Sequence, residues 1–402
     1  MRRITCSLLI ALGLLLPDLA AAQSSETSLF GSLQTVFFNQ KSHMTFGRLQ
    51  PWGGTDIREE RSSFAVQQFD IFLQKPIGTS FSVFVDLEYQ LNYSSEQQWG
   101  SLSLQEAWLN YAPLDEINLK VGMLYPAFNN LNEIKNRLAL LPYIFRPGPY
   151  ERLLSDVFMS ENYLPEHAFV QLHGAIPHGD VFWDYAVFVG NAEASYISHR
   201  GSDGQPENDL NRNFEFLTGV DPTEFNMKLF GGRLGIRARE ESFKAGLSLT
   251  HDYDNMRDTT QFPVIYEGMR TPLAGDAPRI RIGADCSGSI GKVRFEAEFI
   301  RVVYDHAPAT RLDVDLDQVF YYGMLGYGFT DRLLLYASYQ GGKDVFGVEA
   351  RNETVTAGAA YSISSDITGK AQYILYRNET EHGSHVDKLS IRFVFLGFSI
   401  VL

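Results

Sequence analysis

Charged side chains recur two residues apart in this 402-residue sequence. Asp86 and Glu88, Arg279 and Arg281, Glu296 and Glu298, and at twice that interval Arg233 and Arg237, each share a parity, so an extended chain turns each set to one face. Rows of fixed carboxylates and guanidinium groups hold counter-ions and orient dipolar solutes; by themselves they make and break no bonds. The arrangements that do are missing. Gly-x-Ser-x-Gly, His-Glu-x-x-His and the Gly-rich phosphate loop do not occur. His167 and His173 share a parity, but no Cys or carboxylate stands beside them at ligand spacing. Cys286 is alone once Cys6 is set aside with the leader, and no Cys-x-x-Cys-His is present, which argues against iron–sulfur and haem centres. The expectation is a chain with no catalytic centre and no cofactor.

Such rows need elements that keep the backbone extended. Between 81 and 92 one parity reads Phe81, Val83, Val85, Leu87, Tyr89, Leu91, and the other Ser82, Phe84, Asp86, Glu88, Gln90, Asn92. One face is apolar and the other wet, the pattern of a half-buried strand. Repeating the reading along the chain predicts strands near 28–40, 62–76, 80–93, 101–112, 116–125, 166–177, 180–191, 226–239, 241–253, 278–289, 292–305, 317–328, 331–341, 352–364, 366–378 and 386–401. Tight turns such as Ile77-Gly78-Thr79-Ser80 and His178-Gly179-Asp180 alternate with long polar connections, of which 126–165 is the longest.

Arg2 and Arg3 precede the apolar run 8–16, and Ala20-Ala21-Ala22 offers a cleavage site, so 1–22 is expected to be a signal peptide and 23–402 the exported chain. No run of about 18 apolar residues is present, which excludes helical membrane spans. The formal charge of -14 argues against nucleic acid, whose phosphates need a basic patch. Alternating short and long connections around about sixteen strands of roughly ten residues are what a transmembrane antiparallel up-and-down β-barrel produces. Tyr111, Tyr125, Trp183, Tyr321 and Tyr327 at strand ends are expected to form its aromatic girdles. A large soluble β-sandwich or propeller is the alternative; it would turn the apolar parity inward.

The leader, the alternating strands, the long loop after the fifth and a closing strand that ends the chain resemble the bacterial outer-membrane porins. Glu106-Ala-Trp-Leu-Asn-Tyr111 followed by Ile117-Asn-Leu-Lys-Val-Gly122 is similar to their phosphate-selective branch. The resemblance implies the outer membrane of a Gram-negative bacterium, contact with its lipid, and passive diffusion of small hydrophilic solutes or ions through a water-filled channel. It also implies a homotrimer as the usual assembly. Porins usually close on Phe; this chain closes on Leu402. A different class of function keeps the barrel as a scaffold whose loops 192–225 and 254–277 bind a partner at the cell surface.

With the apolar parity toward lipid, Asp86, Glu88, Glu106, Lys120, Arg233, Arg237, Arg279, Arg281 and Glu296 are expected to face the lumen. The acidic set would attract cations and the basic set anions, on different sectors of the wall. In 126–165, Leu131, Ile134, Leu138 and Leu141 recur at helical spacing, Asn130 is the expected N-cap with Glu133 three residues on, and Pro142 stops the helix. In general porins the loop in this place folds into the barrel and narrows it. Glu133, Lys135, Asn136 and Arg137 would then face the pore, while Tyr143, Phe145, Tyr150, Phe158 and Tyr163 anchor the loop to the wall.

Overall fold

The structure, a computed structural model, describes residues 26–45, 56–90, 101–151, 163–165, 168–191, 228–238, 242–255, 276–304, 317–345, 349–382 and 385–402. The expected signal peptide, Phe158, the loop 192–225 and most of 254–277 lie outside these residues.

The strands are β1 Ser28–Thr45, β2 Asp56–Ile77, β3 Phe81–Gln90, β4 Ser101–Leu114, β5 Ile117–Leu124, β6 Ala168–His178, β7 Val181–Asn191 and β8 Lys228–Ala238. They continue as β9 Phe243–Asn255, β10 Asp276–Ile290, β11 Val293–Tyr304, β12 Gln318–Gly328, β13 Leu333–Val345, β14 Glu349–Ser362, β15 Ile367–His382 and β16 His385–Val401. Each pairs antiparallel with its sequence neighbours, and β1 pairs with β16 to close the barrel. The closure is sealed where the Gly31 N–H donates to the Leu402 carbonyl at 3.1 Å and the Leu402 N–H donates back at 2.8 Å. Closure leaves no free sheet edge among the described strands.

Alternation becomes two surfaces. Outside lie Leu247, Leu325, Val187 and Leu396, all more than half exposed. Inside lie Gln34, Asp70, Asp86, Glu298 and Gln372, all nearly buried. Trp183, Tyr321 and Tyr327 face outward as expected of girdle residues, but Tyr125 does not: it is 4% exposed and its hydroxyl donates to Gln105 inside the barrel. The tight turns carry Gly78, Gly179 and Gly291 at φ of 64°, 61° and 58°, where an L side chain costs about 1 kcal/mol.

The strands at the seam outrun the expectation. β2 has 22 residues and β1 has 18, although about ten cross a bilayer. Lys41 to Thr45 stay paired with Glu60 to Asp56 beyond the apolar belt. The outer face of this projecting hairpin is polar and the inner face mixes Ser42, Glu59 and Arg61 with the Met44–Ile57 pair, so the period-two signal that ended the sequence reading near 40 and 62 vanishes while the hydrogen-bond ladder continues.

Candidate functional site

The connection after β5 enters the barrel. Its described parts, 126–151 and 163–165, hold a six-residue helix α1 (Asn129–Ile134) and 3-10 turns at Leu138–Leu140 and Gly148–Tyr150. The helix is shorter than its apolar spacing suggests, and Asn130 is not its cap. Phe128 occupies that position with no side-chain cap, because Asn129 takes a left-handed φ of 53° to turn the chain into the wall. There the Asn129 N–H donates to Ser248 Oγ at 3.0 Å and its side-chain amide to the Phe299 carbonyl at 3.2 Å. Gly283 on β10 leaves the room; a Cβ would collide with the Asn129 amide.

Two apolar clusters hold the loop. Phe128, Leu131, Leu138, Tyr143, Tyr150, Tyr163 and Leu164 pack on Ile300, Val302, Phe320, Tyr322, Met324 and Tyr336 of β11, β12 and β13. Ile144 and Phe145 pack on Val36, Ile374, Tyr376, Ile391, Phe393 and Phe395 across the β15–β16–β1 seam. Each such side chain contributes about 1.5–3 kcal/mol on leaving water. The anchoring expected of Tyr143, Phe145, Tyr150 and Tyr163 is found.

Inner-wall side chains then satisfy the loop backbone. Gln372 Oε1 accepts from the Ile144 and Phe145 N–H groups at 2.9 and 2.7 Å, and Gln340 Oε1 from Gly148 at 2.8 Å. Gln171 accepts from Ala127 at 3.0 Å, Gln68 donates to the Asn136 carbonyl at 2.7 Å, and Lys370 donates to Leu138 O at 3.0 Å. Glu298 accepts from the Leu131 N–H at 2.7 Å and from the Tyr150 hydroxyl. Burial pushes the hydroxyls of Tyr143 and Tyr150 well above the ordinary tyrosine pKa, so Tyr150 keeps its proton and donates. A buried N–H without a partner costs about 1–3 kcal/mol, so these acceptors fix the loop in one place.

The charges expected to face the pore divide into two groups. Lys120, Glu133, Arg233 and Arg237 line one open cavity of about 490 Å³, with Lys244, Asp184 and Asp115. Lys120 lies over the Trp108 ring, 4.7 Å from its centroid. Arg233 is held by Asp285 through two hydrogen bonds of 3.1 and 2.7 Å, and Arg237 by Asp184 at 3.4 Å. Arg137 is exposed.

The second group is on the inner wall but covered. Asp86, Glu88 and Glu106 are 1%, 4% and 8% exposed. Arg279 and Arg281 are sealed against Asp252 at 2.7 and 2.9 Å and do not stand open to anions. Lys135 does not face water either: it is 8% exposed, with its ammonium 4.4 Å from the centre of the Tyr125 ring. Asn136 likewise turns inward and donates to Gln105 and Tyr125. Glu296 is half-buried on β11. The basic side of the expected transverse field is thus neutralised within the wall by aspartates, while Arg137 of the loop acts on Asp86 and, together with Lys120, on Glu106.

Counting charges missed the glutamines. Their signal was present, because Gln34, Gln68, Gln171, Gln340 and Gln372 all fall on the inward parity. The docking patches were also legible as strands that lose alternation: 299–303 turns Ile300 and Val302 inward beside outward Phe299 and Val303, and 393–396 reads Phe-Val-Phe-Leu, apolar on both faces.

Among solved structures, the barrel superposes on a loop-deleted OmpT, an outer membrane protein of Vibrio cholerae, with a TM-score of 0.54 at 11% identity over 94% of this chain and 100% of that one. The outer membrane channel DcaP of Acinetobacter baumannii gives 0.53 at 10% identity over 93% and 97%. An anion-selective porin from Comamonas acidovorans gives 0.50 at 11% identity over 94% and 100%. The fold is that of a sixteen-stranded outer-membrane barrel. At such identities the likeness concerns architecture alone. No protein-family model matches the chain, and no curated protein matches it. In this barrel, as described above, the loop after β5 lies inside, and a cavity of mixed charge opens between that loop and the wall from β5 to β10.

Proposed function

We propose that this chain is an outer-membrane porin through which small hydrophilic solutes and ions diffuse passively, with loop 126–165 as its constriction. The observation that carries the reading is the loop pinned to the inner wall beside a cavity lined by Lys120, Glu133, Arg233 and Arg237. A barrel that only displayed outer loops would have no use for an inner wall shaped to hold a loop at defined width. The reading includes removal of 1–22 on export, insertion in the outer membrane of a Gram-negative bacterium with the long connections outward, and no catalytic step. A homotrimer belongs to it as well, supported by the trimer form described for the Vibrio cholerae OmpT. Phosphate selectivity is disfavoured: the cavity's arginines already hold aspartates, and carboxylates share its lining. Permeation of both ion signs with weak preference follows.

Liposome swelling tests this directly. Proteoliposomes are expected to swell in isotonic solutions of small sugars at rates that fall steeply with solute size. No swelling with the smallest solutes, from a barrel shown to be folded, would leave the scaffold reading in its place.

A further inference from the structure

At the end that bears the long connections, β16, β1 and β2 continue past the apolar belt as a polar sheet. Register sets Lys41 between Arg392 and Glu60, and His43 between Ser390 and Arg58. These residues keep the outward parity of Phe64, Val394 and Leu396, which are 82%, 42% and 53% exposed. Along β16 the outward side chains run Phe398, Leu396, Val394 and then Arg392, so the belt passes into charge within one two-residue step.

The outer face is concave here. A cavity of about 480 Å³ is lined by Lys41, His43, Arg58, Glu59, Glu60 and Arg392, with two serines. Lys41 is bound to Glu60 at 3.0 Å, and Arg58 to Asp56 at 3.3 Å, with His43 also on Asp56. Arg392 has no acidic partner among the described residues; its register neighbours are Lys41 and Leu375. Glu59 is held in turn by Arg61 at 2.7 Å, so Lys41, Arg58, Arg61 and Arg392 stand against Asp56, Glu59 and Glu60, and the guanidinium nearest the belt is the one left over. A ligand that suits this place carries an anionic head at Arg392 and apolar chains that run down β16. A soluble anion would satisfy the guanidinium and leave the adjoining apolar strip without a role.

We propose that this notch binds the anionic phosphate headgroup of a membrane lipid, whose acyl chains lie along Val394, Leu396 and Phe64. The proposal rests on the membrane placement argued above. Basic clusters at a bilayer surface attract anionic headgroups residue by residue, and the attraction is screened by salt.

The test uses the full barrel folded in neutral maltoside micelles and offered phosphatidylglycerol and phosphatidylcholine in equal amounts, with retained lipid counted by native mass spectrometry. Phosphatidylglycerol is expected to be retained in preference. Lys41→Glu with Arg392→Glu should lower that retention about tenfold or more, and Arg392→Gln alone should lower it several-fold. Arg392→Lys should keep most of it. Equal retention by the charge-reversed and native barrels overturns the proposal, as does indifference between the two lipids. Displacement of the lipid by inorganic phosphate at millimolar concentration would assign the notch to a free anion and also overturn it. Flotation with pure phosphatidylcholine vesicles reads membrane insertion separately. A native barrel that floats while its lipid preference fails removes only this inference; one that does not float removes the membrane reading.

Discussion

Glu133 and Asp86 carry the same charge inside the same barrel, yet burial separates their roles. Glu133 stands exposed on α1 in the cavity that Arg233 lines, whereas Asp86 is 1% exposed beneath the loop. Glu133→Gln is therefore expected to move the reversal potential in a salt gradient toward anions, while Asp86→Asn leaves it near the native value; the reverse ordering would contradict the placement. The Arg233–Asp285 pair gives a second charge test. With Asp285→Asn the guanidinium loses its partner and faces the cavity alone, so anion preference should rise. Arg233→Glu with Arg237→Glu sets new carboxylates beside Asp285 and Asp184, and the preference should swing to cations. Residue types and parities behind these tests were readable in the sequence. Pairing was not, because Arg279 and Asp252 meet as direct register partners on the adjacent strands β10 and β9, and alternation does not encode register.

At the scale of elements, the sequence-based strands match the observed ones throughout the apolar belt, because one apolar outer face and one polar inner face impose a strict period of two. The reading fails where that contrast is lost: at the projecting ends of β1 and β2, and in the loop. There the spacing of Leu131, Ile134, Leu138 and Leu141 reflects burial against a curved wall, not one continuous helix. The loop is seated at separate points, and each can be loosened alone. Glu298→Ala strips acceptors from the Leu131 N–H and the Tyr150 hydroxyl, at about 1–3 kcal/mol for each group left buried. Gly283→Val drives a side chain into the seat of Asn129. Both variants should give noisier and larger single-channel currents while the folded barrel keeps its heat-modifiable gel mobility. Gly122 belongs to the wall instead: at φ 132° and packed on the Ala107 carbonyl, its replacement by Ala should cost about 1–3 kcal/mol and lower folding yield without altering currents in the channels that do form.

For the whole molecule, one closed sheet carries two solvents. An apolar face lies outside, and inside lies a polar wall whose apolar patches on β11 to β13 and on β16 bury the loop. On the porin reading proposed above, that division lets the loop narrow the lumen from within the barrel. It also sets the cost of removing the constriction, since Ile300, Val302, Phe320 and Phe393 would then meet water. A barrel lacking 129–149 should still close through β1 and β16 but melt at a lower temperature than the native one. The central claim is that this loop, and not the wall, sets the width of the passage. Single-channel conductance in planar bilayers, compared between the native barrel and the one lacking 129–149, tests it most directly. Discrete native steps and a severalfold larger unit conductance after deletion are the predicted result; the same unit conductance in both, or native barrels that insert without conducting, would contradict it.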